Sequence, residues 1–110
     1  MDKDNKKKNV TEKPQYLVGI GASAGGLEAI FSFFDGMQAT GKTKLSFVLV
    51  QHLLEGSRTL MDKLLLNHTY LDIIIVQNAM RLEARKIYLT PPHSHIWIEN
   101  DCFYLETKLL

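Results

Sequence analysis

A doubly wound α/β fold is what this sequence predicts: the N-terminal part of a mainly parallel sheet, with a β-hairpin near the C-terminus. Three observations carry the prediction. Tyr16 to Val50 reads strand, helix, strand, and about 35 residues suffice for a βαβ unit with a right-handed crossover. The pattern repeats through a helix over Arg58 to His68 and a strand over Leu71 to Val76. The texture then changes to short strands flanking Asn100-Asp101, a two-residue turn whose residue types tolerate positive φ.

Each element has its own signal. Met1 to Pro14 carries Lys3, Lys6, Lys7, Lys8 and Lys13 against Asp2, Asp4 and Glu12, with only Met1 and Val10 apolar. Such a segment buries too little surface to offset its ordering entropy, so residues 1–14 are expected to be a disordered polar tail. Tyr16-Leu-Val-Gly-Ile20 is a short apolar run before glycines, the pattern of a buried strand. From Ala24 to Met37 the period switches: Leu27, Ile30, Phe31 and Phe34 share one helical face. Gly36 and Gly41 mark the expected end of that helix and its loop. Leu45 to Val50 is a second buried strand, and Leu60, Met61, Leu64 and Leu65 line one face of the next helix. Leu71 to Val76 is rich in β-branched residues, as strands are. Lys86 to Thr90 reads as a short strand stopped by Pro91-Pro92, and His95 to Glu99 with Cys102 to Glu106 as the hairpin.

An open α/β sheet needs cover on both faces, and two helices are too few. Residues 15–110 are therefore expected to be a domain truncated at its C-terminus. Composition agrees with a folded chain: of 110 residues, 45% are hydrophobic and 23% charged. The net charge of +1 argues against a strongly basic nucleic-acid binder. A single cysteine, Cys102, excludes an intramolecular disulfide framework and a thiolate-rich zinc site. No apolar run approaches the roughly 18 residues of a membrane span, and no apolar stretch follows the N-terminal lysines as in a secretory signal. A cytoplasmic protein is the expectation, with no membrane insertion and no cofactor.

Two glycine-rich stretches compete for function. Gly21-Ala-Ser-Ala-Gly25 matches G-x-S-x-G, the nucleophile elbow, between a strand and a helix. There Ser23 would be held at the carboxyl edge of the sheet. Gly21, Gly25 and Gly26 would permit the turn, and the Ala24 N–H would face a developing oxyanion. The same run fits G-x-G-x-x-A through Gly19, Gly21 and Ala24. A dinucleotide site expects an acid near the end of the second strand, and Val50-Gln51-His52 supplies none. A plain strand-to-helix turn is the third reading. Gly36 to Thr43 satisfies the P-loop pattern G-x-x-x-x-G-K-T, but in the order helix, loop, strand, where the phosphate cradle of a helix N-terminus does not form.

His52 lies at the carboxyl end of the second strand, and Ser23 just past the end of the first. If the two strands are neighbours they lie about 4.8 Å apart, and the side chains can meet as nucleophile and general base. Of the other histidines, His68, His93 and His95 form no recognisable metal spacing, so no metal site is expected. Trp97, Phe103 and Tyr104 read as hairpin packing, and Cys102 as inert.

At these residues the sequence resembles a known family. Val18-Gly-Ile-Gly-Ala-Ser-Ala-Gly-Gly-Leu-Glu-Ala-Ile30 looks like the start of the catalytic domain of CheB-type protein-glutamate methylesterases. Val48-Leu-Val-Gln-His-Leu53 resembles the strand carrying that family's catalytic histidine, and Ile87-Tyr-Leu-Thr-Pro-Pro92 its strand-to-loop segment. The Ala-Gly-Gly-Leu-Glu wording is closest to domains fused to a CheR-type methyltransferase. The resemblance implies hydrolysis of glutamyl methyl esters on a methylated chemoreceptor in bacterial chemotaxis, often with glutamine deamidation. It makes Ser23 the nucleophile and His52 the base.

The family's third member is an aspartate in a later glycine-rich loop. None of Asp35, Asp62, Asp72 or Asp101 is expected to fill that position, and no receiver domain is expected within the 15 residues before the first strand. In a serine protease, losing the aspartate costs on the order of 10⁴ in rate, so low or no activity is expected of these 110 residues. The alternatives are a nucleotide-binding α/β module using either glycine-rich loop, and a non-catalytic receptor-interaction fragment.

Overall fold

The structure, a computed structural model, describes residues 12–23, 26–40, 43–52 and 58–107. The α/β expectation holds. Strand β1 (Leu17–Ser23) leads to helix α1 (Leu27–Thr40) and strand β2 (Ser46–His52). Helix α2 (Arg58–Leu65) runs into a 3-10 turn over Leu66–His68, and strand β3 (Asp72–Ile75) follows. After β4 (Met80–Arg81) come β5 (Lys86–Leu89), β6 (Ser94–Glu99) and β7 (Cys102–Thr107). A four-stranded parallel sheet has the order β1-β2-β5-β3, and a three-stranded antiparallel sheet the order β4-β7-β6. Among the described residues no helix is long and apolar enough to cross a membrane.

Both faces of the central strands are buried, which is why those strands read as continuous apolar runs rather than alternating ones. Along β2, Phe47 and Leu49 join Ile30 and Phe34 of α1 and Leu65 of α2, while Val48 packs into a second cluster. Along β5, Ile87 and Leu89 face the helices, while Tyr88 meets Phe103 of the small sheet, ring centroids 4.6 Å apart. Phe34 and Phe47 cross edge to face at 5.2 Å, a geometry the aromatic quadrupole favours.

On the described second face, Val76, Leu82 and Phe103 gather with Met80 and Ile96 of the antiparallel sheet. That cover stops short of the β1–β2 side, where Val50 is 52% exposed. Gly19 and Gly21 are exposed beside it.

Three details depart from the sequence expectations. Gly36 does not end α1, which runs on to Thr40. A helical glycine costs only about 1 kcal/mol against alanine, and the burial of Phe34 with the packing of Met37 beside it holds the turn. Leu64 does not join the buried face of α2: it is 42% exposed while Leu65 is fully buried. Glu12 and Lys13, read as part of the tail, are tied to the body. The Glu12 carbonyl accepts from the Ala84 N–H at 2.7 Å, its carboxylate pairs with Arg85 at 2.9 Å, and Lys13 reaches Asp101 at 2.7 Å. The hydrogen bond and charge of Arg85, helped by Lys44, hold the Glu12 carboxyl below its ordinary value. Residues 1–11 lie outside the described ones.

The hairpin forms as expected. Asn100 and Asp101 have φ of 50° and 65°, the left-handed pair that a type I′ turn requires. Trp97 stands opposite Tyr104, their rings stacked 6.0 Å apart. This agrees with a packing role for the aromatic residues, Phe103 inward and Trp97 with Tyr104 across the pair.

Candidate active site

The register of β1 and β2 is fixed at their foot. Ser46 N–H donates to the Tyr16 carbonyl at 3.1 Å, and Gln15 N–H to the Lys44 carbonyl at 2.9 Å. From there two strands of 7 residues run in parallel, pairing Leu17 with Ser46 at one end and Ser23 with His52 at the other. Equal lengths from a common start bring both residues to the carboxyl edge at one level, with backbones about 4.8 Å apart. That edge is where open α/β sheets hold their ligands and reacting groups.

The elbow has a different shape from the sequence expectation at Gly21. Gly21 belongs to β1, in register with Val50, and an added Cβ would meet nothing nearer than the Val50 carbonyl oxygen at 4.0 Å. Neither crowding nor a positive φ therefore demands glycine there. Ala24, the expected oxyanion donor, and Gly25 lie outside the described residues. Gly26 is half-buried at the entrance to α1, and Glu28 in the first turn of that helix sits at the favourable end of its dipole.

The four aspartates among the described residues have partners elsewhere. Asp35, in α1, accepts from or pairs with His68 Nδ1 at 2.9 Å, and the His68 ring stacks on Phe31 at 4.4 Å. Asp72 opens β3 at the opposite end of the sheet and holds Lys86 at 2.8 Å. Asp101 is in the hairpin turn with Lys13, and Asp62 in α2 accepts from the N–H of Lys63. His93 lies in a turn with φ of 53°, and His95 is on β6 opposite Glu106.

The competing motif loses its context. Gly36, the first glycine of the P-loop pattern, is inside α1 rather than in a loop, so the backbone there is already committed to helical hydrogen bonds. Gly41 and Lys42 lie outside the described residues. The second strand ends at His52 with no acid in it, which leaves the dinucleotide pattern without its ribose partner.

One residue at the edge escaped the sequence reading. Thr90 follows β5 and extends its ladder, its N–H donating to the Leu49 carbonyl at 3.3 Å. Its hydroxyl is buried and has no hydrogen-bond partner. In the sequence Thr90 reads as the last residue of a strand before two prolines, and nothing there marks its hydroxyl.

The sequence matches the family described as CheB methylesterase over residues 18–109. No curated protein sequence matches it. Among solved structures, the crystal structure of the Thermotoga maritima CheB methylesterase catalytic domain superposes with a TM-score of 0.62 at 18% identity. The match covers 90% of this chain and 51% of that one, so the chain spans about half the length of the domain it resembles.

Proposed function

We propose, because the chain belongs to the CheB methylesterase family, that its Ser23–His52 pair is the nucleophile and base of a protein-glutamate methylesterase. The observation that carries the reading is their register: the two residues are paired at the carboxyl ends of neighbouring parallel strands. In this reading His52 takes the proton of the Ser23 hydroxyl as Oγ attacks the ester carbonyl. The tetrahedral oxyanion is held by N–H groups after the elbow, Ala24 first among them. His52 then returns the proton to the departing methoxide, and methanol leaves a glutamyl–serine ester. Water, deprotonated by His52, attacks that ester and releases the glutamate carboxylate and Ser23. An amide substrate follows the same course with ammonia leaving, which is glutamine deamidation.

The substrate in this reading is a methylated chemoreceptor in bacterial chemotaxis, met in the cytoplasm, with a CheR-type methyltransferase region as a companion. Because the third carboxylate is absent from these 110 residues, the chain alone is expected to be slow. The experiment is methanol release from a methyl-esterified receptor, run with this chain and with the chain continued through its reading frame past Leu110. The continued protein is expected to release methanol, and Ser23→Ala and His52→Ala each to abolish it. Release that survives Ser23→Ala removes the proposal.

A further inference from the structure

Strand β6 is an edge of the antiparallel sheet, whose order is β4-β7-β6. Its pairing with β7 runs from Ser94–Thr107 to Glu99–Cys102 without a bulge. Residues flanking a two-residue hairpin turn exchange both of their backbone bonds, and such pairs alternate along the ladder with pairs that exchange none. Glu99–Cys102, Trp97–Tyr104 and His95–Glu106 are therefore the bonded pairs, and Ile98–Phe103 and Ile96–Leu105 the others. The β4 side agrees: Phe103 pairs there with Met80, and the Leu105 N–H donates to Asn78 Oδ1 at 2.9 Å. The N–H and C=O groups of Ile96 and Ile98 thus point away from β7, to an edge where no described residue meets them.

Proteins commonly blunt such an edge with lysine, proline or a bulge. Ser94-His-Ile-Trp-Ile-Glu99 has none of these. It also exposes an apolar side chain on each face of the sheet, Trp97 at 43% and Ile98 at 40%. The strand is self-complementary. Run antiparallel to a second copy about Trp97, it sets Ile96 opposite Ile98 of that copy, and the outward backbone groups of the two pairs supply four hydrogen bonds. Trp97 then meets its own copy in a non-bonded pair, where side chains lie closest. His95 falls opposite Glu99. The Glu99 carboxylate accepts from Trp97 Nε1 at 3.0 Å through Oε1, which leaves its second oxygen for the incoming imidazole N–H. The neighbouring registers that keep the same hydrogen-bond pattern set Trp97 against His95 or Glu99 instead, and lose both matches.

We propose that β6 is a dimer edge: two copies of the chain join through antiparallel β6 strands centred on Trp97, forming one six-stranded sheet across a two-fold axis. In such an isologous contact each complementary pair occurs twice. Tyr104, stacked on Trp97 at 6.0 Å, extends the row to four aromatic rings. The contact uses the small sheet alone and needs no part of the Ser23–His52 edge.

The test is sedimentation velocity on the protein that carries this chain, up to about 1 mM, with amide hydrogen exchange at low and high concentration. The expected result is a monomer–dimer equilibrium. Exchange at the Ile96 and Ile98 amides slows as the dimer fills, while the Trp97 amide, already bonded within the hairpin, is unchanged. Glu99→Lys removes the acceptor opposite His95 at two places and should weaken the dimer roughly tenfold; Glu99→Gln, which keeps an acceptor, should weaken it less. Ile98→Pro removes an outward N–H, a change that edge strands tolerate, and should leave the protein monomeric, with circular dichroism showing each variant folded. A monomer at every concentration overturns the proposal, whether the Ile96 and Ile98 amides exchange freely or are protected by another segment of the protein. So does a dimer that Glu99→Lys and Ile98→Pro leave unchanged, because it would lie at another surface.

Discussion

Replacing Ser46 with alanine should destabilise the protein by about 2–3 kcal/mol. Ser46 opens β2 and is fully buried. Its Oγ donates to the Glu83 carbonyl and accepts from the Lys86 N–H at 3.1 Å. One hydroxyl therefore pairs two backbone groups at the start of β5 and staples that strand to β2. Alanine removes both bonds, taking this acceptor from the Lys86 N–H and leaving the Glu83 carbonyl with the longer bond from the Tyr88 hydroxyl at 3.5 Å. A lost hydrogen bond costs about 1 kcal/mol, and a buried group left unpaired about 1–3 kcal/mol. For two groups that are partly shielded from water, the sum is about 2–3 kcal/mol, with little packing lost because a hydroxyl is small. At about 4 °C per kcal/mol for a domain of this size, Tm should fall by about 8–12 °C. Urea unfolding followed by far-UV circular dichroism gives the free energy, and hydrogen exchange at the Lys86 amide should accelerate with it. A loss below about 0.5 kcal/mol, the range of an ordinary surface change, would refute the reasoning.

Other expectations follow from the same interior. Gly36→Ala should stabilise by about 0.5–1 kcal/mol, because Gly36 is inside α1 and an added Cβ meets nothing within 4 Å; a lower urea midpoint would count against a helix there. Phe103→Ala should cost about 3–5 kcal/mol, since the ring is fully buried against Tyr88, and amide exchange should rise first in β4 and β7. Burial raises the Tyr88 phenol above its ordinary value. The stability this represents is complete below about pH 10, where an unfolded tyrosine ionises, and is lost as pH rises through the higher folded value. Tyr88→Phe should remove that alkaline loss while costing about 1 kcal/mol at neutral pH, because the Glu83 N–H loses its acceptor at 2.8 Å; an unchanged alkaline melting profile would contradict the assignment.

Much of the fold was legible because burial on two faces leaves a strong mark. Phe47 to Val50 and Ile87 to Leu89 are apolar at every step, and β2 and β5 are the inner strands of the sheet. The helical period of Ile30 and Phe34 matched a buried face, and Asn100-Asp101 carried its own turn chemistry. What escaped has long-range causes. Strand β4 is two residues long and exists through its partner β7; no period can show in two positions. The insertion of β5 between β2 and β3 is set by which strands bury Ile87 and Tyr88, not by any local pattern. Gly36 reads as a stop because its neighbours' packing is invisible in sequence. At the site, the G-x-S-x-G motif after the first apolar run and the histidine after the second made Ser23 and His52 candidates, although both strands run farther than the apolar runs show. Thr90 could not be read so, because its place at that edge depends on the strand order.

The central claim is that Ser23 is a nucleophile made reactive by His52. The most direct measurement is covalent capture by a fluorophosphonate, using the protein that carries this chain with any continuation of its reading frame, and mapping the adduct by peptide mass. The account predicts one adduct, on Ser23, lost in His52→Ala while circular dichroism shows the fold intact. A folded protein that remains unlabelled at Ser23, or that is labelled there equally well in His52→Ala, would contradict it.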